Sequence, residues 1–361
     1  MGLDLAPNLM QPPLGVPDDW YVACEARELG RKPLAVELLG LRLVLFRDAA
    51  GRARALFDRC SHRNVPLSMG RVCDGQIECP YHGWRFDGQG QCAHVPGLLD
   101  DDRDAGAQGR AVPSLLTREA DGYLWVYSTV GATRSVREPF SMPFTKDSAY
   151  TTVTHVQDFE GSVHAVAENA LDVPHTAFVH RGLFRSGGEK RGIDVEVRRY
   201  PDRIEAEYIG EPRPDGVIGR VLSPGGGLVR HWDRFFLPCI AQVEYQLGDD
   251  SHVIASVALT PIAEHKTRMF ASVSFRMPIP GALVGSLLKP IGLRILDQDV
   301  RILARQMENI RAFGGQRYAS TKLDVLGPAI QKLLRLAERG EREAQGASED
   351  EPARRSLRIH V

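Results

Sequence analysis

The sequence predicts an α+β fold made of two domains, each built on antiparallel strands. The 361 residues are enough for two domains that each bury a core of their own. In the first third of the chain, short apolar runs such as 41–46 and 122–127 alternate with turns rich in Gly, Pro and Asp. Longer apolar or alternating runs follow after residue 195, and a helical pattern reaches about residue 313.

These patterns divide the chain at a linker over 139–147. We place the first domain at 17–135 and the second at 148–340, and we expect a charged, mobile tail at 341–361. An Asp- and Gly-rich loop at 97–108 is expected to lie in solvent. The strand candidates of the second domain are 195–200, 204–209, 228–247, 253–261 and 268–277.

The strongest chemical signal is a pair of short clips, Cys60-Ser-His62 and Cys79-Pro-Tyr-His82, each with one Cys and one His. A zinc finger usually groups its two Cys in one clip and its two His in another. A Rieske [2Fe–2S] centre instead binds one iron through two thiolates and the other through two imidazoles. The mixed clips therefore favour a Rieske cluster held by these four residues, and a zinc-stapled binding module is the alternative.

The residues around the clips resemble the Rieske domains of non-haem iron oxygenases rather than those of respiratory complexes. Respiratory Rieske proteins carry two further Cys that form a disulfide, where this chain has Val65 and Tyr81. Trp84 stands where the high-potential proteins carry a Ser that hydrogen-bonds the cluster. Fewer hydrogen bonds to the cluster sulfurs imply a lower potential, which suits an electron relay toward an oxygen-activating iron.

A second group of possible metal ligands lies at 168–180, where Asp172, His175 and His180 occur together. The two His are close to one helical turn apart, so both rings can reach one metal if the helix loosens after Pro174. Two His and a carboxylate on one face of iron leave positions open for O₂ and substrate, as in non-haem Fe(II) oxygenases. We therefore predict a mononuclear iron site here.

The pattern Asp-x-x-His-x-x-x-x-His at this site resembles the catalytic motif of the Rieske non-haem iron oxygenases, the ring-hydroxylating oxygenase α-subunit family. The runs 20–24 and 83–94 resemble the branch of vanillate demethylase, dicamba demethylase and aminopyrrolnitrin oxygenase. The resemblance covers about residues 17–340 and implies a Rieske domain followed by a helix-grip catalytic domain, an antiparallel sheet with helices. It also implies a monooxygenase or oxidative demethylase without a β subunit.

The resemblance places the third iron ligand, a carboxylate, in the helical segment that ends near residue 313. The family motif ends in a Gln, and alignment on Gln306 puts the ligand at Asp299, with Asp297 as the alternative. The Glu that usually follows the aliphatic pair of the motif is Ala304 in this chain.

The resemblance also gives roles to two polar residues that precede His175. In the family the Asp links a cluster His of one subunit to an iron-ligating His of the next, so Asp172 would join His175 to His82 of the adjacent chain. The alternative for Asp172 is a simple helix N-cap ahead of Pro174. Asn169 is expected to touch substrate or to make a helix hydrogen bond. A head-to-tail homotrimer would repeat the Asp172 contact at every interface.

The expected cofactors are one [2Fe–2S] cluster and one mononuclear Fe(II) per chain. NAD(P)H acts indirectly, through a separate ferredoxin or flavin reductase, because the chain has no G-x-G-x-x-G dinucleotide fingerprint. We expect O₂ to be used to hydroxylate, demethylate or otherwise mono-oxygenate an apolar small molecule, aromatic or terpenoid- or sterol-like. A ring cis-dihydroxylating dioxygenase and a Rieske electron carrier without catalysis are the alternatives. The apolar candidates for the pocket lining are Phe178, Phe235, Phe236, Ile240 and Val243.

Composition excludes several other classes of protein. A net charge of −1 with both signs interspersed gives no reason to expect nucleic acid as a partner. We find no leader sequence and no apolar run long enough to span a membrane. The other cysteines, which lack paired spacing and are expected to be free thiols of a cytoplasmic protein, are Cys24, Cys73, Cys92 and Cys239.

Overall fold

The computed structural model describes residues 14–98, 109–181, 192–211, 229–248, 251–277, 281–341 and 352–360, and only the backbone of 282–288 and 360. Residues 99–108 of the predicted loop, and 342–351 and 361 of the predicted tail, lie outside these ranges. The chain divides into two units, Met1–Ser141 and Met142–Val361. The division falls inside the segment expected to be a linker.

The N-terminal unit contains three small antiparallel sheets, with strand orders β1-β11-β10, β2-β3-β4-β9 and β5-β6-β7-β8. Their strands are β1 (Trp20–Glu25), β2 (Leu34–Leu38), β3 (Leu41–Arg47), β4 (Ala53–Phe57), β5 (Arg71–Cys73), β6 (Gln76–Glu78), β7 (Arg85–Phe86), β8 (Cys92–His94), β9 (Ser114–Leu115), β10 (Thr117–Ala120) and β11 (Tyr123–Tyr127).

Tight turns set the register of these sheets. The two-residue loops Leu39-Gly40, Asp74-Gly75 and Asp121-Gly122 each have positive φ at both positions, the geometry of type I′ hairpins. Of the strands that they join, β3 is largely buried and every residue of β11 belongs to the core. The first Cys/His clip follows β4, and the second lies between β6 and β7, so both clips are loops on a rigid scaffold.

The C-terminal unit is one antiparallel sheet of eight strands with the order β12-β18-β17-β16-β15-β14-β13-β19. The strands are β12 (Thr151–Glu160), β13 (Gly192–Arg199), β14 (Arg203–Ile209), β15 (Val229–Phe236), β16 (Ile240–Leu247), β17 (Ser251–Ala263), β18 (Lys266–Arg276) and β19 (Ala353–His360). Within the described ranges it is accompanied by three α-helices, α1 (Val163–Ala170), α2 (Gly281–Ala312) and α3 (Gly327–Glu338). No helix in the described ranges is both long and apolar enough to cross a membrane.

One face of this sheet, which we call the inner face, carries the helices. The cross-strand register aligns Tyr208, His231, Tyr245 and, further along the row, Thr151 on that face. A Cβ atom on Gly281, the first residue of α2, would overlap the Thr151 side chain. Helices over one face of an antiparallel sheet are the α+β arrangement that the sequence predicted, so the predicted fold class is confirmed.

One predicted strand is wrong in its extent. The segment 228–247 was expected to be continuous, but it forms two strands, β15 and β16, that pair as a hairpin from Val229↔Leu247 to Phe236↔Ile240. Pro238 lies in the turn between them. Because proline has no N–H to donate to a ladder, it ends a central strand rather than continuing it.

The expectation of a mobile tail is wrong for its last part. Residues Ala353–His360 form β19, an edge strand that pairs with β13 from Gly192↔His360 to Arg199↔Ala353. Ile359, which is 2% exposed, lies opposite the buried Ile193. The alternation of exposed Arg side chains with Leu357 and Ile359 fits a strand with one buried face, a pattern that the high charge of the segment obscured.

Candidate metal sites

The two clips of the N-terminal unit come together around one point. Cys60 and Cys79 are both buried, and their side chains are close enough to form a hydrogen bond. The rings of His62 and His82 lie edge to face, with their centroids 4.6 Å apart. Burial raises the pKa of the Cys60 thiol to about 11, so the positive charge of a metal is what would keep it a thiolate at neutral pH.

Backbone hydrogen bonds hold both clips in tight loops. The Cys60 N–H donates to the Val65 carbonyl at 2.9 Å, and the Cys79 N–H donates to the Trp84 carbonyl at 2.8 Å. The Trp84 ring stacks on His62 with centroids 4.6 Å apart. The Nδ1 atom of His62 is buried and has no hydrogen-bond partner in the described part of the chain. An orphan ring nitrogen beside two buried thiols fits the donor set of a Rieske cluster.

In the C-terminal unit, two imidazoles and one carboxylate converge. The Nε2 atoms of His175 and His180 are 3.2 Å apart. Asp299 Oδ1 lies 3.6 Å from His175 Nε2 and 3.2 Å from His180 Nε2. These three residues, whose possible ligand atoms all lie within 4.8 Å of one another, form a group that could hold a metal ion. Two nitrogens and one carboxylate oxygen facing a common point are the donors of a non-haem iron facial triad, so the residues fit that metal.

His175 lies in a 3₁₀ turn and His180 follows it, where the sequence suggested a helix that loosens after Pro174. α1 begins after Ser162, whose side chain accepts the N–H of Ala165, and it ends at Ala170. A single 3₁₀ turn, Pro174–Ala177, follows it. Proline suits the first position of such a turn because it lacks the N–H that would continue an earlier helix. The turn carries His175 and lets the chain bring His180 to the same point.

α2 presents Asp299 from its buried side. Leu303 and Met307, one and two turns further along, are buried, which fixes this face of the helix against the protein. The Asp297 side chain is 54% exposed and pairs with Arg301 at 2.7 Å. The structure therefore brings Asp299, and not Asp297, to the two histidines.

The Nε2 atom of each histidine faces the predicted iron site, because the Nδ1 atom makes a hydrogen bond on the other side of the ring. His180 Nδ1 lies 2.9 Å from Gln298 Oε1, and His175 Nδ1 contacts the main-chain carbonyl of Asp172. Acceptors at Nδ1 favour the tautomer that leaves Nε2 as the free lone pair, the form that binds a metal. The sequence analysis did not single out Gln298, since a Gln beside an Asp on a helix carries no signal of its own.

The Asp172 carboxylate is close to His175 in a second way. Its Oδ2 accepts the backbone N–H of His175 at 3.0 Å, as a capping residue does, and lies 3.6 Å from His175 Nδ1. The Asn169 amide points to the metal ligand Asp299, with Nδ2 3.4 Å from Oδ1. Asp172 and Asn169, which were expected to support catalysis, thus each contact one of the three residues of the predicted iron site.

The charges at this centre are coupled. Burial alone would lower the pKa of His175, but the nearby carboxylates of Asp172 and Asp299 outweigh it and raise the pKa to about 9. Burial would raise the pKa of Asp299, and the two histidines outweigh that effect and lower it. The carboxylate is therefore held in its ionised form, which is the form that ligates a metal.

A cavity of about 350 Å³ opens beside His175. Asn169 and Asp172 line it from the segment that includes α1, Leu303 lines it from α2, and Tyr208 lines it from the sheet. A small molecule in this cavity would therefore touch the neighbourhood of the metal ligands.

The five apolar residues predicted to line the pocket do not border this cavity among the residues that the structure describes. Phe178 is 83% exposed at the end of the 3₁₀ turn, whereas Phe235 and Ile240 are fully buried in the sheet. Val243 is half-buried on the inner face. Apolar side chains on strands belong to the core more often than to a binding site, and the periodicity of a sequence does not distinguish core residues from pocket residues.

Comparison with known proteins identifies both units. Residues 19–100 match the Rieske [2Fe-2S] domain. Residues 159–339, about half of the chain, match the vanillate O-demethylase oxygenase C-terminal domain. The chain belongs to the Rieske non-haem iron oxygenases. An oxygenase domain that holds a His/His/Asp group does not fit the zinc-stapled module or the electron carrier without catalysis.

Two curated relatives show how far the similarity of this oxygenase extends. The chain is 30% identical over 273 residues to aminopyrrolnitrin oxygenase PrnD of Pseudomonas fluorescens, covering 71% of this chain and 74% of that protein. It is 35% identical over 211 residues to the oxygenase component of dicamba O-demethylase of Stenotrophomonas maltophilia, covering 58% of this chain and 56% of that protein. The predicted branch of the family is confirmed.

Solved structures agree with this assignment. Dicamba monooxygenase bound to dicamba superposes with a TM-score of 0.74 at 25% identity, over 89% of this chain and 97% of that chain. Rieske oxygenases of this type contain a [2Fe–2S] cluster and a mononuclear non-haem iron, so both predicted cofactors are confirmed. The relatives named as oxygenase components imply a separate electron donor for proteins of this kind.

Proposed function

We propose that this oxygenase uses O₂ and two electrons to insert one oxygen atom into an apolar small molecule, by hydroxylation or oxidative demethylation. The electrons come from NAD(P)H through a separate ferredoxin or flavin reductase. The observation that carries the proposal is the convergence of His175, His180 and Asp299 in a unit that matches a demethylase oxygenase domain. The names of the relatives, an O-demethylase and an aminopyrrolnitrin oxygenase, favour single-atom insertion on an aromatic molecule over cis-dihydroxylation.

The ligand roles follow from the donor atoms. Cys60 and Cys79 hold the cluster through thiolates, and His62 and His82 hold it through ring nitrogens. His175, His180 and Asp299 would hold the mononuclear iron through two ring nitrogens and a carboxylate oxygen. When bound, the cluster supplies electrons singly and the ferrous iron activates O₂ next to the substrate.

The chain itself contributes orientation at this site. Gln298 and the Asp172 carbonyl fix the two imidazoles so that both Nε2 atoms face the same point. Asn169 restrains the Asp299 carboxylate through Oδ1. Walls of the cavity beside His175 keep the substrate within reach of the open side of the triad.

The quaternary proposal is a head-to-tail homotrimer in which Asp172 joins His175 to His82 of the adjacent protomer. Apolar or aromatic side chains are exposed beside each metal site, Phe178 next to the iron ligands and Tyr81 next to the cluster ligands. A closed ring would cover such surfaces at every interface and leave no open end. A cytoplasmic location stays a prediction from the cysteine usage of the sequence.

Metal analysis and product analysis test this function together. The purified protein should be red-brown and contain about three irons and two acid-labile sulfides per chain. With a reductase, NADH and O₂, a panel of aromatic and terpenoid compounds should give a product with one added oxygen atom or one lost methyl group. Zinc without sulfide would contradict the cofactor assignment, and a cis-diol product would contradict the single-atom reaction.

A further inference from the structure

A cluster of buried polar side chains on the inner face is used by nothing described so far. We call it the His231 cluster: His231 lies between the rings of Tyr208 and Tyr245, with centroid distances of 4.5 and 4.1 Å, and two carboxylates, Glu211 and Asp233, flank it. His231 Nδ1 is 2.6 Å from Glu211 Oε2, and His231 Nε2 is 2.9 Å from Asp233 Oδ1. Burying such an ionic set costs free energy that an apolar packing would not, so its presence points to a functional use.

The charges in the His231 cluster indicate which of its atoms carry protons. Burial alone would lower the pKa of His231, but Asp233 and Glu211 outweigh it and raise the pKa to about 9, so both ring nitrogens carry protons and donate. The Tyr208 hydroxyl also hydrogen-bonds to Asp233, which as a carboxylate can only accept. Tyr208 therefore uses its only O–H hydrogen in the bond that it donates to Asp233. Toward any other group the Tyr208 oxygen can only accept a hydrogen bond.

Tyr208 is also the member of the cluster that reaches the cavity of the iron site. Asp233 belongs to a cross-strand row on the inner face that continues on one side through Val243, Ala255 and Val273. These three side chains are small, apolar and half-buried, although their face of the sheet carries the helices. These side chains do not line the cavity, but their partial exposure leaves an apolar surface on the inner face beside the polar cluster.

We propose that Tyr208 is a specificity-determining residue that accepts a hydrogen bond from the substrate, and that Asp233 and His231 position it for this role. The substrate would then combine an apolar body with an N–H or O–H group, and a pure hydrocarbon or an ether without such a donor would be a poor substrate. This inference rests on the proposed function, because it names the substrate class of the same oxygenase. A substrate group that can only accept, such as an ether oxygen, would face the accepting oxygen of Tyr208. It would lose the hydrogen bond that it makes to water and gain none in return.

Binding of three matched probes tests the proposal on the intact, metal-loaded protein. Phenethyl alcohol and phenethylamine can donate a hydrogen bond, and phenethyl methyl ether cannot. Equilibrium dialysis should show that the two donors bind about tenfold more tightly than the ether, the factor expected for one hydrogen bond. Equal binding of the alcohol and the ether, or no binding of the alcohol, would overturn the proposal.

Two variants and a control separate this role from a purely structural one. Tyr208→Phe should remove the preference for donors and leave the binding of the ether unchanged. Asp233→Asn should make the protein prefer the ether over the donors. The amide oxygen would still accept from His231, and the amide NH₂ would donate to the Tyr208 oxygen. The Tyr208 O–H would then point toward the cavity and donate to the bound molecule. Glu244→Gln alters a similar contact, 2.9 Å from His252, on the other face of the sheet and should change nothing.

The outcomes are distinguishable from failure of the proposed function. Dialysis does not depend on turnover, so a protein without oxygenase activity can still show the donor preference. If both variants keep the wild-type preference while their cluster spectra and melting temperatures match the wild type, the His231 cluster only supports the fold and the inference is wrong.

Discussion

The nitrogen that each imidazole presents decides what the iron site can bind. His175 and His180 both direct Nε2 inward because Nδ1 is engaged, by a main-chain carbonyl in one case and by Gln298 in the other. The motif spacing predicted which histidines meet, since the pattern itself is local. It did not predict Gln298, whose partner lies more than a hundred residues away and is brought near only by packing of α2.

Loss of any of the three ligands should remove the mononuclear iron alone. His175→Ala, His180→Ala and Asp299→Ala should each lower the iron content by about one atom per chain and abolish turnover. The visible spectrum of the cluster should stay intact, because Cys60 and the other cluster ligands belong to the other unit. Asp297→Ala is the matched control, since its exposed side chain pairs with Arg301. Retention of iron in Asp299→Ala together with its loss in Asp297→Ala would show that the ligand is misassigned.

Gln298 should matter through His180 rather than through direct contact with iron. Gln298→Leu removes the acceptor for His180 Nδ1 and should weaken iron binding about 10- to 100-fold, measured by competition with a chelator. Gln298→Glu keeps an acceptor oxygen and should restore most of the affinity. The same Gln→Leu change at Gln306, two turns further along α2, serves as the control. Equal affinities for Gln298→Leu and Gln306→Leu would mean that the Gln298 contact does not orient the ligand.

At the scale of elements, the strand candidates with simple alternation were found, and the misses have local causes. The run 204–209 alternates cleanly and forms β14. The hairpin of β15 and β16 was missed because apolar residues continue through the turn at Pro238. The expected loosening of the helix near Pro174 takes the form of a 3₁₀ turn that begins at this proline instead of extending α1. Pairing partners such as β13 and β19 are distant in sequence, so no local pattern could predict them.

The edge strand β19 should stabilise the C-terminal unit through one buried side chain. Ile359→Ala should lower the free energy of unfolding by about 2–4 kcal/mol, because it empties a buried site opposite Ile193. Arg355→Ala changes an exposed residue of the same strand and should alter stability by no more than about 0.5 kcal/mol. Urea unfolding of both variants, followed by far-UV circular dichroism, measures the difference. Indistinguishable curves would support the mobile tail that the sequence suggested.

At the scale of the whole molecule, the two metal sites belong to separate units, each recognisable on its own. In our proposal Asp172, whose carboxylate accepts the His175 N–H, would link the iron site of one protomer to the cluster ligands of the next. The proposed head-to-tail trimer would make this contact between protomers, and turnover would then require an interface between two chains.

Mixing two inactive variants tests this central claim most directly. A His82→Ala chain lacks a competent cluster, and a His175→Ala chain lacks the iron, so neither should turn over substrate alone. Co-expressed with different tags and purified through both, the mixed rings hold interfaces at which an intact cluster site meets an intact iron site. Contact between protomers through Asp172 predicts that these rings recover a substantial fraction of wild-type turnover. Verified mixed rings that remain inactive would contradict the claim and place the transfer of electrons within a single chain.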